Sequence, residues 1–446
     1  MKKILSLIAL SCTIAASAQT YTLEQLKDSV LQNNIAIRNA RHSIDAARQQ
    51  RKEAFTKFFP NISGTGMWFN ANKGMAQTEL NLSEQITPEL GMALAQTLPA
   101  EALAALGNPI SVSMMKNGTI AGINAVQPVF AGGQIINGNK LAKVGEDVSR
   151  LQLQLSENEV EKQTELYYWQ LVSLQEKMKT IEAVQTLLAD IYKDVDVAVR
   201  AGLAMRNDLL QVQLRQNDVE SQKLKLQNGI SILRLLLAQY CGLHSEQFSV
   251  GNVEYEDGSS IQVVKQDCDQ ALLGTAEYQL LNKQVEATKL QKKMEVGKNL
   301  PMLGVGAGYN YHNLLDNNHT FGMVFATVSV PISDWWGGSH AIKRKKIEQQ
   351  KAEEQLADNS ELLKIRMQNA WNNVEESFQQ LQIAQRSIEQ AEENLRLNRD
   401  YYKAGTSKMS DLLEAQLLYQ QSLDRRTDAY ADYQNKLLEY RQAIGQ

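Results

Sequence analysis

The chain contains the stretch Arg200-Ala-Gly-Leu-Ala-Met-Arg-Asn-Asp208-Leu-Leu-Gln-Val-Gln213 and repeats it as Lys403-Ala-Gly-Thr-Ser-Lys-Met-Ser-Asp411-Leu-Leu-Glu-Ala-Gln416. A basic residue, Ala-Gly, Asp-Leu-Leu and a final Gln recur at an offset of 203 residues. The same offset relates Pro128 to Pro331. The chain is therefore a tandem duplication, and we expect an architecture that is assembled from repeated pieces.

The N-terminus predicts a secretory signal peptide over residues 1–18. It has a basic start, an apolar run and a small-x-small ending at Ala18, which predicts cleavage after that residue. A lipoprotein signal that is cut before Cys12 is the alternative, although Leu10 stands one position too close to the cysteine for that motif.

Charge and hydropathy exclude two classes of protein. The chain has 46 Lys and Arg against 50 Asp and Glu, a net charge of −4, and the loss of Lys2 and Lys3 with the signal makes it −6. No basic surface for nucleic acid is expected. After the signal, no apolar run is long enough for a membrane-spanning helix, so any passage through a membrane must use strands.

Two long stretches of the chain lack helix breakers. Glycine is absent from 146–201 and from 339–404, and all seven prolines fall in 60–128 and 301–331. We predict helices of roughly 80 to 100 Å there. Apolar residues step by threes and fours along both helices, as in a coiled-coil seam. They include Leu171, Ile181, Leu188, Val195, Met367, Val374, Leu381 and Ile388.

The duplicated stretch is predicted to be the tip of a helical hairpin, present twice. Gly202 and Gly405 are suited to the left-handed conformation at a helix C-terminus. Asp208 and Asp411 are suited to the start of the next helix, where they satisfy free backbone N–H groups.

Four segments alternate as strands do. The stretch 303–311 alternates bulky apolar residues with Gly or Asn, 321–327 repeats the contrast, and 61–69 and 120–130 are weaker candidates. Four strands of about ten residues, bulky outside and small inside, match strands that cross a bilayer in a barrel. A soluble pair of β-hairpins packed on a helix is the alternative. Aromatic residues near the strand ends favour the membrane, namely Trp68, Phe69, Tyr309, Tyr311, Trp335 and Trp336.

The predicted organisation follows the two repeats. The predicted segments are a signal peptide (1–18), an N-terminal helix (19–56), a first β-hairpin (57–132) with a long insertion (about 72–118) that is mostly loop with a short helix at 99–107, a first helical hairpin (133–242, tip 200–208), a linker (243–266), a helix (267–299), a second β-hairpin (300–336) and a second helical hairpin (337–446, tip 403–411).

The sequence offers little catalytic chemistry. The five histidines form no H-x-x-x-H pair, and Cys241 and Cys268 form no C-x-x-C motif, although these two thiols could pair with each other. No nucleophile elbow and no phosphate-binding loop is present. The Gly-Gly turns at 131–134 and 336–339 are interpreted as strand-to-helix elbows. No enzyme activity, cofactor or metal is expected.

Together these residues resemble the TolC-like outer membrane efflux protein family. The resemblance depends on Tyr21-Thr-Leu-Glu-Gln-Leu26, Phe59-Pro60, Gln127-Pro128-Val-Phe130 and the two tips, in that order. It implies a mainly α fold with a transmembrane β-barrel. In a homotrimer, each chain would give four strands to a 12-stranded barrel in outer-membrane lipid and its helices to a periplasmic tunnel, with 243–266 in an equatorial collar.

The function that the resemblance implies is a passive exit duct for efflux or type I secretion. An inner-membrane pump of the RND or ABC class would supply the energy, and a periplasmic adaptor protein would dock at the tips. The docking residues would be Arg200, Gly202, Leu203, Lys403, Gly405 and Thr406. A soluble periplasmic coiled-coil adaptor or scaffold is the alternative function, but an adaptor is expected to carry one helical hairpin.

The resemblance also assigns roles to residues at the tunnel mouth. The family's acidic constriction falls on Asp411 and Glu414, which lie three apart on one helix face and would form carboxylate rings, with raised pKa values, in a trimer. Helix-terminal acids that stabilise the dipole are the alternative, which accounts for Asp208 too. The closed-state lock falls on Tyr402 and Asp208, whereas the family's arginine is replaced by Ser407.

Overall fold

The computed structural model describes residues 19–80, 87–99, 102, 110–243, 248–251, 261, 263–314, 317–332 and 334–446. The predicted signal peptide with Cys12, and most of the predicted helix at 99–107, lie outside these residues. The chain divides into two compact units. The helical unit comprises the described residues up to 48, 144–286 and 350–446, and the sheet unit comprises 49–143 and 287–349.

The described elements are long helices and short strands. The helices are α1 (Leu23–Asn33), α2 (Ile35–Thr56), α3 (Pro88–Thr97), α4 (Gln134–Arg200), α5 (Arg206–Cys241), α6 (Cys268–Leu272), α7 (Ala276–Lys298), α8 (Asp334–Lys403) and α9 (Met409–Ala443). The strands are β1 (Gln19–Tyr21), β2 (Asn61–Asn70), β3 (Ala76–Leu80), β4 (Ile110–Met114), β5 (Asn117–Ala131), β6 (Phe248–Val250), β7 (Met302–His312) and β8 (His319–Ser329).

The N-terminal segment is not the single helix that the sequence predicts for 19–56. It begins with β1, which pairs in parallel with β6 from the predicted linker. The helix then breaks at Asn34, whose backbone is extended. The Asn34 side chain accepts a hydrogen bond from the Ala36 N–H at 2.8 Å and donates one to the Tyr240 carbonyl at 3.1 Å. These bonds satisfy backbone groups that a break in the helix would leave free.

The predicted seams are buried in the helical unit. Leu188 on α4 and Val374 on α8 have no exposed surface. Gln185, a polar interruption of the first seam, donates to Glu220 at 2.7 Å and accepts from Lys223 at 3.0 Å across to α5. Because its amide is satisfied, this position is tolerated beside the seam. In the described part of the chain, no helix has the length and hydropathy to span a membrane.

The sheet unit contains an antiparallel sheet in the order β2-β5-β7-β8. The long insertion is more ordered than the predicted loop, because β3 and β4 form their own antiparallel pair and α3 lies between them in sequence. Proline at the first turn suits the start of α3, since its missing N–H would have no partner within the helix there.

The strand register corrects one expectation about the sheet faces. Phe325 lies directly opposite Gly306, and Met323 lies opposite Gly308. Opposite residues of an antiparallel pair share a face, so the bulky residues of β8 lie with the glycines of β7 and not with Leu303. The glycines are needed because a Cβ at Gly306 would collide with the ring of Phe325.

We name the two faces by their residues. The glycine face comprises Asn124, Gly304, Gly306, Gly308, Asn310, His312, His319, Phe321, Met323, Phe325 and Thr327. The apolar face comprises Ile62, Trp68, Ile123, Leu303, Val305, Tyr309, Val324 and Val328. The apolar face is open to its surroundings, as shown by Val324 at 87% and Trp68 at 71% exposure.

The two predicted elbows differ from each other. Gly132 and Gly133 have φ of 60° and 75° and form the turn before α4. Gly337 and Gly338, in contrast, lie inside α8, which already begins at Asp334. The second predicted elbow is therefore wrong. Gly338 is where the helix approaches the Asn299 side chain too closely for a Cβ.

The packing of the glycine face predicts the outcome of a Gly306→Ala substitution. Because the new methyl must displace the Phe325 ring, we expect a loss of about 1–3 kcal/mol in stability. Gly66→Ala is the matched control on β2, where a Cβ would meet no atom within 4 Å. Thermal unfolding in detergent, followed by circular dichroism, measures both variants. Equal unfolding midpoints for the two would contradict this packing.

Candidate functional site

Each copy of the duplicated stretch ends its helix in the same way. Gly202 and Gly405 both have φ of 73°, in the left-handed region. The N–H of Gly202 donates to Val199 at 3.0 Å and that of Leu203 to Ala198 at 2.8 Å. Gly405 and Thr406 repeat the pattern with Tyr402 and Tyr401, each at 3.0 Å. The predicted helix C-termini are confirmed as a pair of Schellman motifs.

The two aspartates of the duplicated stretch also share a local role. Asp208 and Asp411 lie in the first turns of α5 and α9. Each carboxylate accepts a hydrogen bond at 3.2 Å from the backbone N–H that precedes its helix, that of Met205 or Lys408. The hydroxyl of Ser407 also donates to Asp411 at 3.2 Å. A helix-terminal role is thus observed for both aspartates.

Asp411 and Glu414 both lie on the exposed face of α9. Hydrogen bonds from the Lys408 backbone and from the Ser410 hydroxyl hold the pKa of Asp411 below its usual value. The sequence-based expectation of raised pKa values depends on neighbouring carboxylates from other copies. Within one chain, the hydrogen bonds at the start of α9 instead lower the pKa of Asp411.

A cleft of about 760 Å³ brings the two tips together within the helical unit. Asp208 and Gly202 from the first tip and Tyr402, Gly405 and Ser407 from the second line it. Burial, and then the charge of Asp208, raise the pKa of Tyr402. The two residues of the predicted lock therefore line one cleft within a single chain, together with Ser407.

The tips differ in what they expose. The first tip presents Leu203 at 85% and Met205 at 75% exposure. The second presents Thr406, whose hydroxyl donates to the Tyr401 carbonyl at 3.0 Å, and Lys403. Arg200 is held by an ion pair with Asp196 at 2.7 Å. The predicted docking residues are thus accessible, and the first tip is the more apolar.

A buried polar group below the second tip escaped the sequence analysis. Gln416, the last residue of the duplicated stretch, is completely buried, and its side-chain oxygen accepts from Arg215 at 3.0 Å. Arg215 also donates to Gln420 at 2.8 Å, which donates in turn to Gln222 at 2.9 Å. The recurrence of Gln at the end of the duplicated stretch could have indicated that Gln416 has a structural role. Its hydrogen-bond partner could not be predicted, because Arg215 lies on α5, far away in sequence.

Asp424 is a further polar residue beside this buried group and lies one helical turn after Gln420 on α9. Burial raises its pKa to about 6, against the attraction of Lys177. Its Oδ1 atom is buried, and no described residue forms a hydrogen bond with it. A carboxyl in such a place favours its protonated form.

Other chemistry is limited in the part of the chain that the structure describes. No group of three or more His, Cys, Asp or Glu side chains there could hold a metal. Cys241 and Cys268 are free thiols, and burial raises the pKa of Cys241 to about 12. The pairing that the sequence left open is not made.

The comparisons with known proteins agree with these features. Residues 269–446, which hold the second tip, match the model of the family described as Outer membrane efflux protein. No curated protein matches the chain.

Solved channel structures resemble almost the whole chain. VceC of Vibrio cholerae has a TM-score of 0.74 at 14% identity, over 95% of this chain and 96% of its own. The CmeC outer membrane channel of Campylobacter jejuni has a TM-score of 0.74 at 14% identity, over 95% of this chain and 85% of its own. CusC has a TM-score of 0.78 at 15% identity, over 96% of this chain and 93% of its own. At these identities the likeness shows the fold.

The fold is the one that these solved outer membrane proteins share. The match of residues 269–446 and this fold agree with the predicted resemblance to the TolC-like outer membrane efflux protein family. The predicted fold class, with long helices and four strands per chain, is confirmed.

The raised pKa of Asp424 predicts a pH-dependent stability effect. The folded protein binds this proton more tightly than an unfolded chain does, so the stabilisation is present below the ordinary value of 3.8 and is lost as the pH rises through about 6. Asp424→Asn, which stays neutral, should raise the unfolding temperature more at pH 8 than at pH 4.5. Asp190→Asn, an exposed carboxylate on α4, is the control. A gain that is equal at both pH values would contradict the prediction.

Proposed function

We propose that the protein works as a homotrimeric outer-membrane exit duct in a tripartite efflux or type I secretion system. It conducts substrates passively from a periplasmic adaptor and an inner-membrane pump, of the RND or ABC class, to the exterior. No chemical step on the substrate is involved.

The main support for this proposal is the open four-stranded sheet. Its outer strands, β2 and β8, are each paired on one side only among the strands that the structure describes. Backbone N–H and C=O groups inside a bilayer must be satisfied by protein, so spanning sheets close into barrels. A closed single-chain barrel needs about eight strands. Four strands from each of three copies would close a 12-stranded barrel, with β8 of one copy beside β2 of the next.

The apolar face supports the same arrangement. Ile62, Ile123 and Val324 lie on it and are largely exposed in the single chain. A contiguous apolar surface on a sheet indicates contact with lipid or with another protein. The glycine face opposite carries Asn124, Asn310 and the two histidines, as suits a polar lumen.

The constriction at the periplasmic mouth is assigned to Asp411 and Glu414. Both are exposed, and they lie on one side of α9. Threefold symmetry would convert them into two rings of carboxylates that attract cations. The hydrogen bonds at Asp411 favour this role, because they fix the carboxylate in place and keep it ionised at neutral pH.

The closed state is assigned to contacts at the tip cleft, with Tyr402 and Asp208 as the lock. The cleft places them near one another, and Asp208 raises the pKa of Tyr402. Since Ser407 offers no positive charge, the lock has fewer charge-assisted hydrogen bonds than an arginine would provide.

The channel function and the constriction are tested together in planar bilayers. The protein should be extracted from outer membranes as a heat-modifiable trimer and should conduct ions with cation preference. Replacing Asp411 and Glu414 by Ala should raise conductance or lower cation selectivity, because the carboxylate rings are removed. A monodisperse monomer that is soluble without detergent would overturn the channel and favour the adaptor or scaffold alternative.

Asp208→Ala is the matched control for these variants. It removes the same hydrogen bond at the start of the helix in the first repeat, but it leaves Asp411 and Glu414 in place. Because Asp208 also belongs to the assigned lock, cation selectivity is compared here and conductance is not. If Asp208→Ala lowers cation selectivity as much as the double substitution does, the constriction assignment is wrong and helix capping accounts for the effect.

Adaptor docking is assigned to the exposed tip residues, and in-cell photo-crosslinking tests it. A photoreactive residue at position 204 or 407 should capture a periplasmic adaptor, recognised by its own helical hairpin. Arg200→Glu with Lys403→Glu should lower the yield by roughly tenfold, because charge complementarity steers docking. Position 193, also exposed on α4, is the control. Equal yields from positions 193, 204 and 407 would place docking elsewhere.

A further inference from the structure

Two histidines that are seven residues apart in sequence meet at one end of the β7–β8 hairpin. His312 ends β7, His319 begins β8, and the two are directly opposite each other in the strand register. Their ring centroids are 5.3 Å apart, with the rings tilted by 45°. Sequence spacing alone did not reveal this pair, because the connection between the strands sets which residues become opposite.

The separation of the rings suits two ligands of one metal ion. A metal held tetrahedrally by two imidazole nitrogens at about 2.0 to 2.1 Å places the two ring centroids about 5.2 Å apart. The observed ring-centroid separation of 5.3 Å is close to that spacing. Imidazole nitrogen is a favoured ligand of zinc, copper and nickel.

The environment restrains the rings and leaves a ring nitrogen unused. Phe321 lies 6.0 Å from each imidazole, edge-on to His312 and stacked on His319. The Nδ1 atom of His312 is buried and has no hydrogen-bond partner among the residues that the structure describes. Buried polar atoms are normally satisfied, so an unpartnered nitrogen here needs an explanation that hydrogen bonding within the chain does not supply.

The backbone around the pair is fixed by its neighbours. The N–H of Asn313 donates to the Thr119 carbonyl at 3.0 Å, and the Thr119 N–H donates to the Asn313 side chain at 3.3 Å. These bonds join the end of β7 to β5. Together with the pairing of β7 and β8, these bonds hold the two histidines at a constant distance. A fixed distance between ligands lowers the entropic cost of binding an ion.

We propose that His312 and His319 bind one divalent transition-metal ion, Zn²⁺, Cu²⁺ or Ni²⁺. The site has two imidazole ligands, and water or small anions complete the coordination. It lies on the glycine face, at the end of the sheet where the long insertion joins β2 to β5. This site is independent of the proposed channel function, since it is formed within one hairpin.

Copper binding by the full-length protein in detergent, without a histidine tag, tests the proposal. Titration with Cu²⁺, followed by electron paramagnetic resonance, should show a site with nitrogen ligation at one ion per chain. His312→Ala and His319→Gln should each weaken that site by roughly tenfold or more. His340→Ala, which removes an exposed histidine on α8, should leave it unchanged.

Two controls keep the outcome decisive. Circular dichroism must show that each variant retains the strand and helix content of the parent, and the exposed His319 is the less disruptive position to change. Zn²⁺ titration by calorimetry should rank the variants in the same order. Binding that is unaffected by both substitutions, or that is lost equally in His340→Ala, would overturn the proposal.

Discussion

The unpaired outer strands of the four-stranded sheet are the constraint on which the rest of the protein depends. Strands β2 and β8 each have one side with no partner in the described part of the chain. In lipid, every backbone polar group needs a hydrogen bond from protein, because no water is present to supply one. In the proposed channel, a single chain is therefore incomplete, and three copies would supply the missing partners.

The duplication gives two tips with the same backbone and different surfaces. Both have a left-handed glycine and an aspartate that accepts a hydrogen bond at the start of the next helix. Outside these shared bonds the two copies diverge. The first exposes Leu203 and Met205, whereas the second places Glu414 one turn after Asp411. In the proposed channel, the first tip is thus better suited to a protein partner, and the second to the passage of ions.

Much of the fold follows from patterns that are local in sequence. Runs without glycine or proline and with apolar steps of three and four predicted the long helices, since such runs satisfy their own backbone and bury one stripe. The faces of β8 could not be predicted in this way. Alternation shows that a strand has two faces, but the pairing register decides which face meets Gly306 and which meets Leu303.

The features of the candidate sites also divide into those that depend on local sequence and those that depend on tertiary contacts. The sequence by itself determined the duplication, the helical hairpins, the left-handed turns at Gly202 and Gly405 and the acidic pair on α9, because each depends on neighbours within a few residues. Only the tertiary structure decided that Tyr402 lies near Asp208, that Gln416 binds Arg215 and that His312 faces His319. Those pairs depend on how helices pack and strands align, and such contacts between distant residues leave no periodic trace in the sequence.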